Sequence, residues 1–303
     1  MIFPFASLLN TRWLINKEAV YNMLPFLVAY INGREIDFSV LDDSASNKPY
    51  ILSVSQNQQV NVSDTYDLQS NAVPENSVAI IPVQGVILPN KTMDMVNYIR
   101  MAESNPNVIA VLFLVNTPGG AVFFTDTAAG IIKNMSKPSV GYVMNMGASA
   151  GMWLLSAMNR IVLSSPLDRV GSIGVMTSMM DASKFLKEKL GIDIMDIYAT
   201  ASTNKNEQIR TFLNTDLPLE DRTKSIVADL DFVNVLFHEA IQKNLSISPD
   251  SEVFSGGVYD AGQAIQLGLA HEICSFEDAL MLARRMGLKI AINRMFNSNT
   301  KLK

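Results

Sequence analysis

An α/β core built on a largely parallel sheet is what this sequence predicts, and three observations carry that expectation. Short β-branched runs recur at Val78–Val83, Val108–Val115 and Val140–Met144, continuous rather than alternating, as strands buried on both faces are. Helix-favouring stretches at Asp94–Ser104, Thr125–Met135 and Ser149–Met158 separate or follow them, which is the rhythm of βαβ units. Glycine-containing turns follow the second and third runs, at Asn116-Thr117-Pro118-Gly119-Gly120 and Met146-Gly147-Ala148-Ser149-Ala150-Gly151.

The remaining elements extend this pattern. Residues 1 to about 40 favour helix, with an amphipathic stretch at Ala19–Tyr30. From Asp42 to Asn76 the chain is rich in Ser, Asn, Gln and Asp and reads as a polar linker holding one strand, Tyr50–Val54. Beyond the three βα units come expected strands at Arg160–Leu163 and Val170–Thr177, a helix at Ala182–Leu190 and a strand at Ile194–Ala199. A polar loop, Thr200 to Glu207, leads into a long helix over Leu219–Leu245. The expected organisation is an appendage and linker over 1–76, a core over 77–288 and a tail over 289–303.

Composition narrows the function. The 303 residues are 48% hydrophobic and 17% charged, against roughly 25% charged in an average soluble chain. Such a surface fits burial against other subunits. A net charge of −5 offers no excess of cations to neutralise a phosphate backbone, so nucleic acid is a poor partner. One cysteine, Cys274, excludes an intrachain disulfide and a cysteine-cluster metal site. Two histidines, His238 and His271, are too few for a histidine zinc site, while a carboxylate site for magnesium or calcium stays open. The first residues are apolar but lack a basic leader and a small-residue cleavage site, and the longest apolar run is Val108–Val115. The expectation is a chain without a membrane span of its own, kept in a reducing compartment.

The two glycine turns are where chemistry is expected, because functional loops of parallel sheets gather beyond the carboxyl ends of strands. Each has an ordinary reading: Pro118-Gly119-Gly120 as a strand-to-helix turn, Ser149 as a helix N-cap. Together they make a nucleophile with tiny neighbours and backbone N–H groups free to meet an oxyanion. Histidine is a weak candidate for activating the serine, since His238 lies midway along the long helix and His271 near the end of the core. Lysine is the other activator, provided burial keeps it neutral. Moving a lysine from about 10.4 to between 7 and 8 takes roughly 3 to 5 kcal/mol. Lys205 lies in the polar loop, where a solvated role is the ordinary reading; Lys184, Lys187 and Lys189 fall on a charged helix face.

The ordered set of segments resembles the signal peptide peptidase A family of serine peptidases, within the wider Clp/crotonase fold. The similarity runs from about Val78 to Arg285. It includes Thr117-Pro118-Gly119-Gly120, Ser136-Lys137-Pro138, Met146–Gly151, Gly171-Ser172-Ile173-Gly174-Val175, Gly257-Val258-Tyr259-Asp260 and Ala264–Ala270. The resemblance implies a Ser–Lys dyad with Ser149 as nucleophile and Lys205 as general base. It implies an oxyanion hole from the N–H of Gly120 (or Gly119) and of Ala150, and Ser172 orienting the lysine amine. No cofactor or metal is implied. Two departures stand out: Ser149 is followed by Ala150 where the family has glycine, and Thr203-Asn204-Lys205 lacks the family's glycine and tyrosine landmarks.

Cellular members of that family are anchored by an N-terminal apolar helix, whereas its phage capsid-assembly proteases are not. The stretch Asn10–Glu18, with Trp13, is similar to the phage branch. The resemblance therefore implies a prohead maturation protease in the host cytoplasm or prohead, forming a homo-oligomeric ring and cutting a scaffold or portal protein. The alternatives are a cellular signal-peptide-clearing protease, an acyl-CoA enzyme of the crotonase type, and a capsid-associated protein without turnover.

Overall fold

The computed structural model describes residues 13–15, 48–54, 60–63, 68–179, 181, 183–191 and 195–300. The expected helix at Ala19–Tyr30 and most of the polar linker lie outside them. Two compact units divide the chain: residues 175–236 form one, and the residues between 13 and 174 together with those from 237 onward form the other.

The second unit carries the sheet. Its described strands are β1 (Trp13–Ile15), β2 (Tyr50–Val54), β3 (Val60–Ser63), β4 (Ser77–Gln84), β5 (Val108–Thr117), β6 (Gly119–Ala121), β7 (Ser139–Ala148), β8 (Arg160–Leu163), β9 (Arg169–Gly171), β10 (Val258–Asp260) and β11 (Glu272–Ile273). The main path runs β10-β9-β7-β5-β4-β2-β3, while β8 pairs with both β7 and β11. The centre is parallel, with Ile80 opposite Leu112 and Leu112 opposite Val140. Strands β4 and β5 are buried almost throughout, as continuous apolar runs require. The expected α/β architecture is present, including the long helix over Leu219–Leu245.

Strand β7 forks. Val140–Val143 pair with β8, and Met146–Ala148 pair with β9. Between them Asn145 turns into the left-handed region at φ +75°. Asp168, 3% exposed, holds the fork: its carboxylate accepts the N–H of Asn145 (2.7 Å), of Ser164 (2.6 Å) and of Ser165 (2.9 Å), plus the Ser164 hydroxyl (2.8 Å).

Helices cover the sheet. α1 (Pro89–Ser104) starts a turn earlier than expected because a proline fits the first helical positions. Its far end is capped from another element: Lys137 Nζ donates to the carbonyls of Ala102 (2.6 Å) and Asn105 (2.5 Å). The Glu103 carboxylate accepts the N–H of Ser136 and Lys137. Burial pulls the Lys137 ammonium down to about 8. The Ser-Lys-Pro segment is thus a structural latch. α2 (Thr125–Lys133) and α3 (Ala150–Ser156) follow β6 and β7. A C-terminal helix spans Phe276–Thr300. Its Ala279, Leu280 and Ala283 join Leu52, Val78, Leu112, Val140 and Tyr142 in one buried cluster. A Cβ on Gly287 would come within 2.4 Å of the Ile109 carbonyl oxygen, so only glycine lets the helix lie this close to β5.

The unit over 175–236 holds helices at Ser183–Leu190 and Glu207–Leu213 and the first part of the long helix. Gln208 donates to Asp229 (2.8 Å), and Arg222 Nε donates to the Phe212 carbonyl (2.7 Å). Two expected strands are corrected. Val170–Thr177 is a strand only as far as Gly171, because Gly171 (φ +113°) and Ser172 (φ +52°) leave extended backbone. Residues 195–199 form no strand, and Met195 and Ile197 are 82% and 86% exposed. No helix among the described residues is long and apolar enough to cross a membrane.

Candidate active site

The carboxyl ends of β5 and β7 lie side by side, with Thr117 opposite Gly147. At the end of β5 the Thr117 hydroxyl donates to the Gly85 carbonyl (2.6 Å) and accepts the Gly119 N–H (3.1 Å). Gly119 turns the chain at φ +103°. Its carbonyl accepts the Ile87 N–H (2.9 Å), and the Ala121 N–H returns to the Ile87 carbonyl (2.8 Å). Planar trans peptides then fix Gly120. Its N–H points opposite to the Gly119 carbonyl and its carbonyl opposite to the Ala121 N–H, so both face away from Ile87. A Cβ on Gly120 would fall 2.0 Å from the Ile87 carbonyl oxygen. Of the two glycines, Gly119 has its N–H engaged and Gly120 presents its own outward.

At the end of β7 the chain reverses sharply at Ser149, φ +55° and ψ −116°. A non-glycine residue there stores about 1–3 kcal/mol of strain. The surroundings hold it: its N–H donates to the Gly171 carbonyl (2.8 Å), and its carbonyl accepts the Trp153 N–H (3.0 Å). Ser149 is 1% exposed. It occupies the N-cap position of α3, yet its side chain makes no capping bond, and its buried Oγ has no hydrogen-bond partner. The ordinary N-cap reading therefore does not account for this serine. A buried hydroxyl left unpaired costs about 1–3 kcal/mol, which an approaching base or substrate would recover.

Ala150 is the first helical residue, and N–H groups of a first turn have no intrahelical acceptor. A Cβ on Gly151 would meet Thr117 Cγ2 at 2.4 Å, so the second glycine of the motif lets α3 pack on β5. Ser172 follows Gly171, which is paired with Ala148, and it is half-buried at φ +52° with its N–H on the Gly257 carbonyl (2.6 Å). Ser149, Gly119, Gly120, Ala150 and Ser172 thus belong to one unit. Lys205 belongs to the unit over 175–236, exposed in a turn where its N–H bonds the Ser202 carbonyl (3.2 Å).

The other named groups play structural parts. Met152 and Trp153 are buried, and the Trp153 ring stacks on Phe237 at 4.7 Å and 7°. His238 sits 4.8 Å from the Phe254 ring with Nε2 buried and unpaired, and burial lowers its pKa against the pull of the Ile173 backbone. His271 Nδ1 accepts the Ile161 N–H (3.1 Å), tying β8 to the segment before β11. Thr117 and Asp168 were not singled out from the sequence. Asp168 had one signal, a Ser164-Ser165-Pro166-Leu167-Asp168 turn in which a carboxylate can collect nearby N–H groups.

The family model for peptidase family S49 matches residues 132–289, a stretch that includes the Ser149 turn. The chain belongs to peptidase family S49. Capsid assembly protease C of Escherichia phage lambda is 29% identical over 226 residues, 69% of this chain and 49% of that protein. The head-tail preconnector protein GP5 of Enterobacteria phage P21 is 27% identical over 219 residues, 68% of this chain and 42% of that protein. Protease 4 of Haemophilus influenzae is 25% identical over 223 residues, 70% of this chain and 35% of that protein. In each case the S49 chain spans less than two thirds of the relative's own length.

Proposed function

We propose that this S49 peptidase is a serine endopeptidase in which Ser149 is the nucleophile and Lys205 the general base. The observation that carries the reading is the Ser149 hydroxyl, buried and unpartnered on a strained turn. In the proposed reaction Ser149 Oγ attacks the peptide carbonyl carbon while neutral Lys205 Nζ takes its proton. The oxyanion accepts hydrogen bonds from the Gly120 and Ala150 N–H groups. As the C–N bond breaks, the Lys205 ammonium returns the proton to the leaving amine. Water, deprotonated by the same amine, then opens the acyl-enzyme to a carboxylic acid, and the ammonium gives that proton to Ser149 Oγ as the acyl C–O bond breaks. Ser172 orients the lysine amine, and no metal or cofactor takes part.

The substrate is a protein of an assembling phage head, a scaffold or portal, met in the host cytoplasm or prohead. The similarity to proteins of phages lambda and P21 supports this. The active form is a homo-oligomeric ring, which the exposed apolar side chains Phe123 (68%), Leu167 (84%), Met195 and Ile197 favour. Because a lysine works as a base only where its charge is desolvated, an exposed Lys205 needs ring assembly or substrate to cover it.

Intact mass after incubation with a fluorophosphonate tests the reading on wild type, Ser149→Ala and Lys205→Ala. One adduct on wild type alone is the expected result. Labelling of Lys205→Ala at the wild-type rate would remove Lys205 as base while keeping Ser149. A folded wild type that never labels would favour a capsid-associated protein without turnover.

A further inference from the structure

Strand β1 covers the edge of the Gly119–Ala121 segment that Ile87 leaves open. Trp13–Ile15 pair antiparallel with Gly119–Ala121, Trp13 opposite Ala121, Leu14 opposite Gly120 and Ile15 opposite Gly119. One edge of the Gly119–Ala121 segment is already taken by Ile87. The Gly120 N–H and carbonyl face the other edge, toward their register partner Leu14. A directly opposed antiparallel pair whose groups face one another exchanges both hydrogen bonds. The Leu14 carbonyl therefore stands at the N–H assigned above to the oxyanion, and the Leu14 N–H meets the Gly120 carbonyl. An extended peptide adding to this edge would need the same two groups.

We propose that Trp13–Ile15 is a built-in pseudosubstrate strand, competing with an extended peptide for the Gly120 edge of the active site. The proposal rests on the assignment of Gly120 and Ser149 given above.

The test separates strand occupancy from chemistry. Hydrogen exchange is followed by mass spectrometry in the full-length Ser149→Ala protein, which has no nucleophile. Leu14→Pro removes the donor at position 14, and the peptide containing Gly120 is expected to exchange on the order of tenfold faster, while β4 and β7 stay protected. Leu14→Ala keeps the backbone donor and should preserve slow exchange. A synthetic peptide of residues 9–19 added to the Leu14→Pro protein should restore protection; the same peptide N-methylated at Leu14 should not. Unchanged exchange at Gly120 in Leu14→Pro overturns the proposal. With Ser149 restored, Leu14→Pro should lower KM for an unstructured peptide at unchanged kcat, and an unchanged KM beside lost protection also overturns it. A wild type that never labels with fluorophosphonate counts against the peptidase reading instead, and the exchange result still stands.

Discussion

The turn at Ser149 and the turn at Lys205 are built by opposite means. Ser149 is 1% exposed, held by β9 through the Gly171 carbonyl and by α3 through the Trp153 N–H. Lys205 is exposed, and its main-chain bond closes only its own turn. The difference teaches that the groups proposed as nucleophile and oxyanion hole are preorganised by the sheet. In the proposed mechanism the base is the part left for assembly or substrate to complete. Labelling of Ser149 should then rise with protein concentration as subunits associate, and a rate independent of concentration would break the comparison.

The sheet-built half should fail in activity and in packing together. In Gly120→Ala the new methyl meets the Ile87 carbonyl oxygen at 2.0 Å, and backbone rather than a flexible side chain has to move. Loss of one oxyanion donor costs about 10²–10³ in kcat, and peptide hydrolysis is expected to fall by at least that much. Lys205→Ala should abolish hydrolysis as well, but change stability in urea by less than about 0.5 kcal/mol, as surface substitutions do.

Stability sharpens the same contrast within one helix. Phe237 is fully buried against Trp153, while Phe232, five residues earlier on Leu219–Leu245, is 65% exposed. Phe237→Ala should cost about 3–5 kcal/mol of unfolding free energy, and Phe232→Ala about 0.5 kcal/mol or less. Equal shifts in the urea midpoint would contradict the placement. Asp168→Ala should fall between, at about 1–3 kcal/mol, because four donors at the β7 fork lose their acceptor.

What was legible in the sequence follows the same division. Continuous apolar runs located β4, β5 and β8 within a residue or two, since burial on both faces leaves little choice of residue. The apolar pattern at Ile194–Ala199 misled because periodicity does not say whether a partner strand exists, and Met195 and Ile197 face solvent. Val170–Thr177 misled because Gly171 and Ser172 take positive φ, a choice made by the bonds from Ser149 and Ser172 to residues far along the chain. The Ser149 turn was found from its small neighbours. Its unpaired hydroxyl, and the strand lying across Gly120, are matters of long-range geometry that spacing does not encode.

The smallest expected effect is a pH dependence, and its sign can be worked out. Burial lowers the pKa of both His238 and His271 below the ordinary 6.5, so the folded state prefers the neutral rings. Between the lowered folded value and 6.5 the unfolded chain binds more protons, and stability therefore rises with pH across that window. The contribution is complete above about 6.5 and is lost progressively as pH falls through the folded values. His238→Phe places another apolar ring beside Phe254, where the unpaired Nε2 gains nothing from its polarity. The difference in urea midpoint between pH 7.5 and pH 5.5 should be smaller in this variant than in wild type, while the background from carboxylates cancels in the comparison. An unchanged difference would mean that His238 is as solvated as it is in the unfolded chain, and that the second half of the long helix is less tightly packed than the stacked Trp153 and Phe237 rings require.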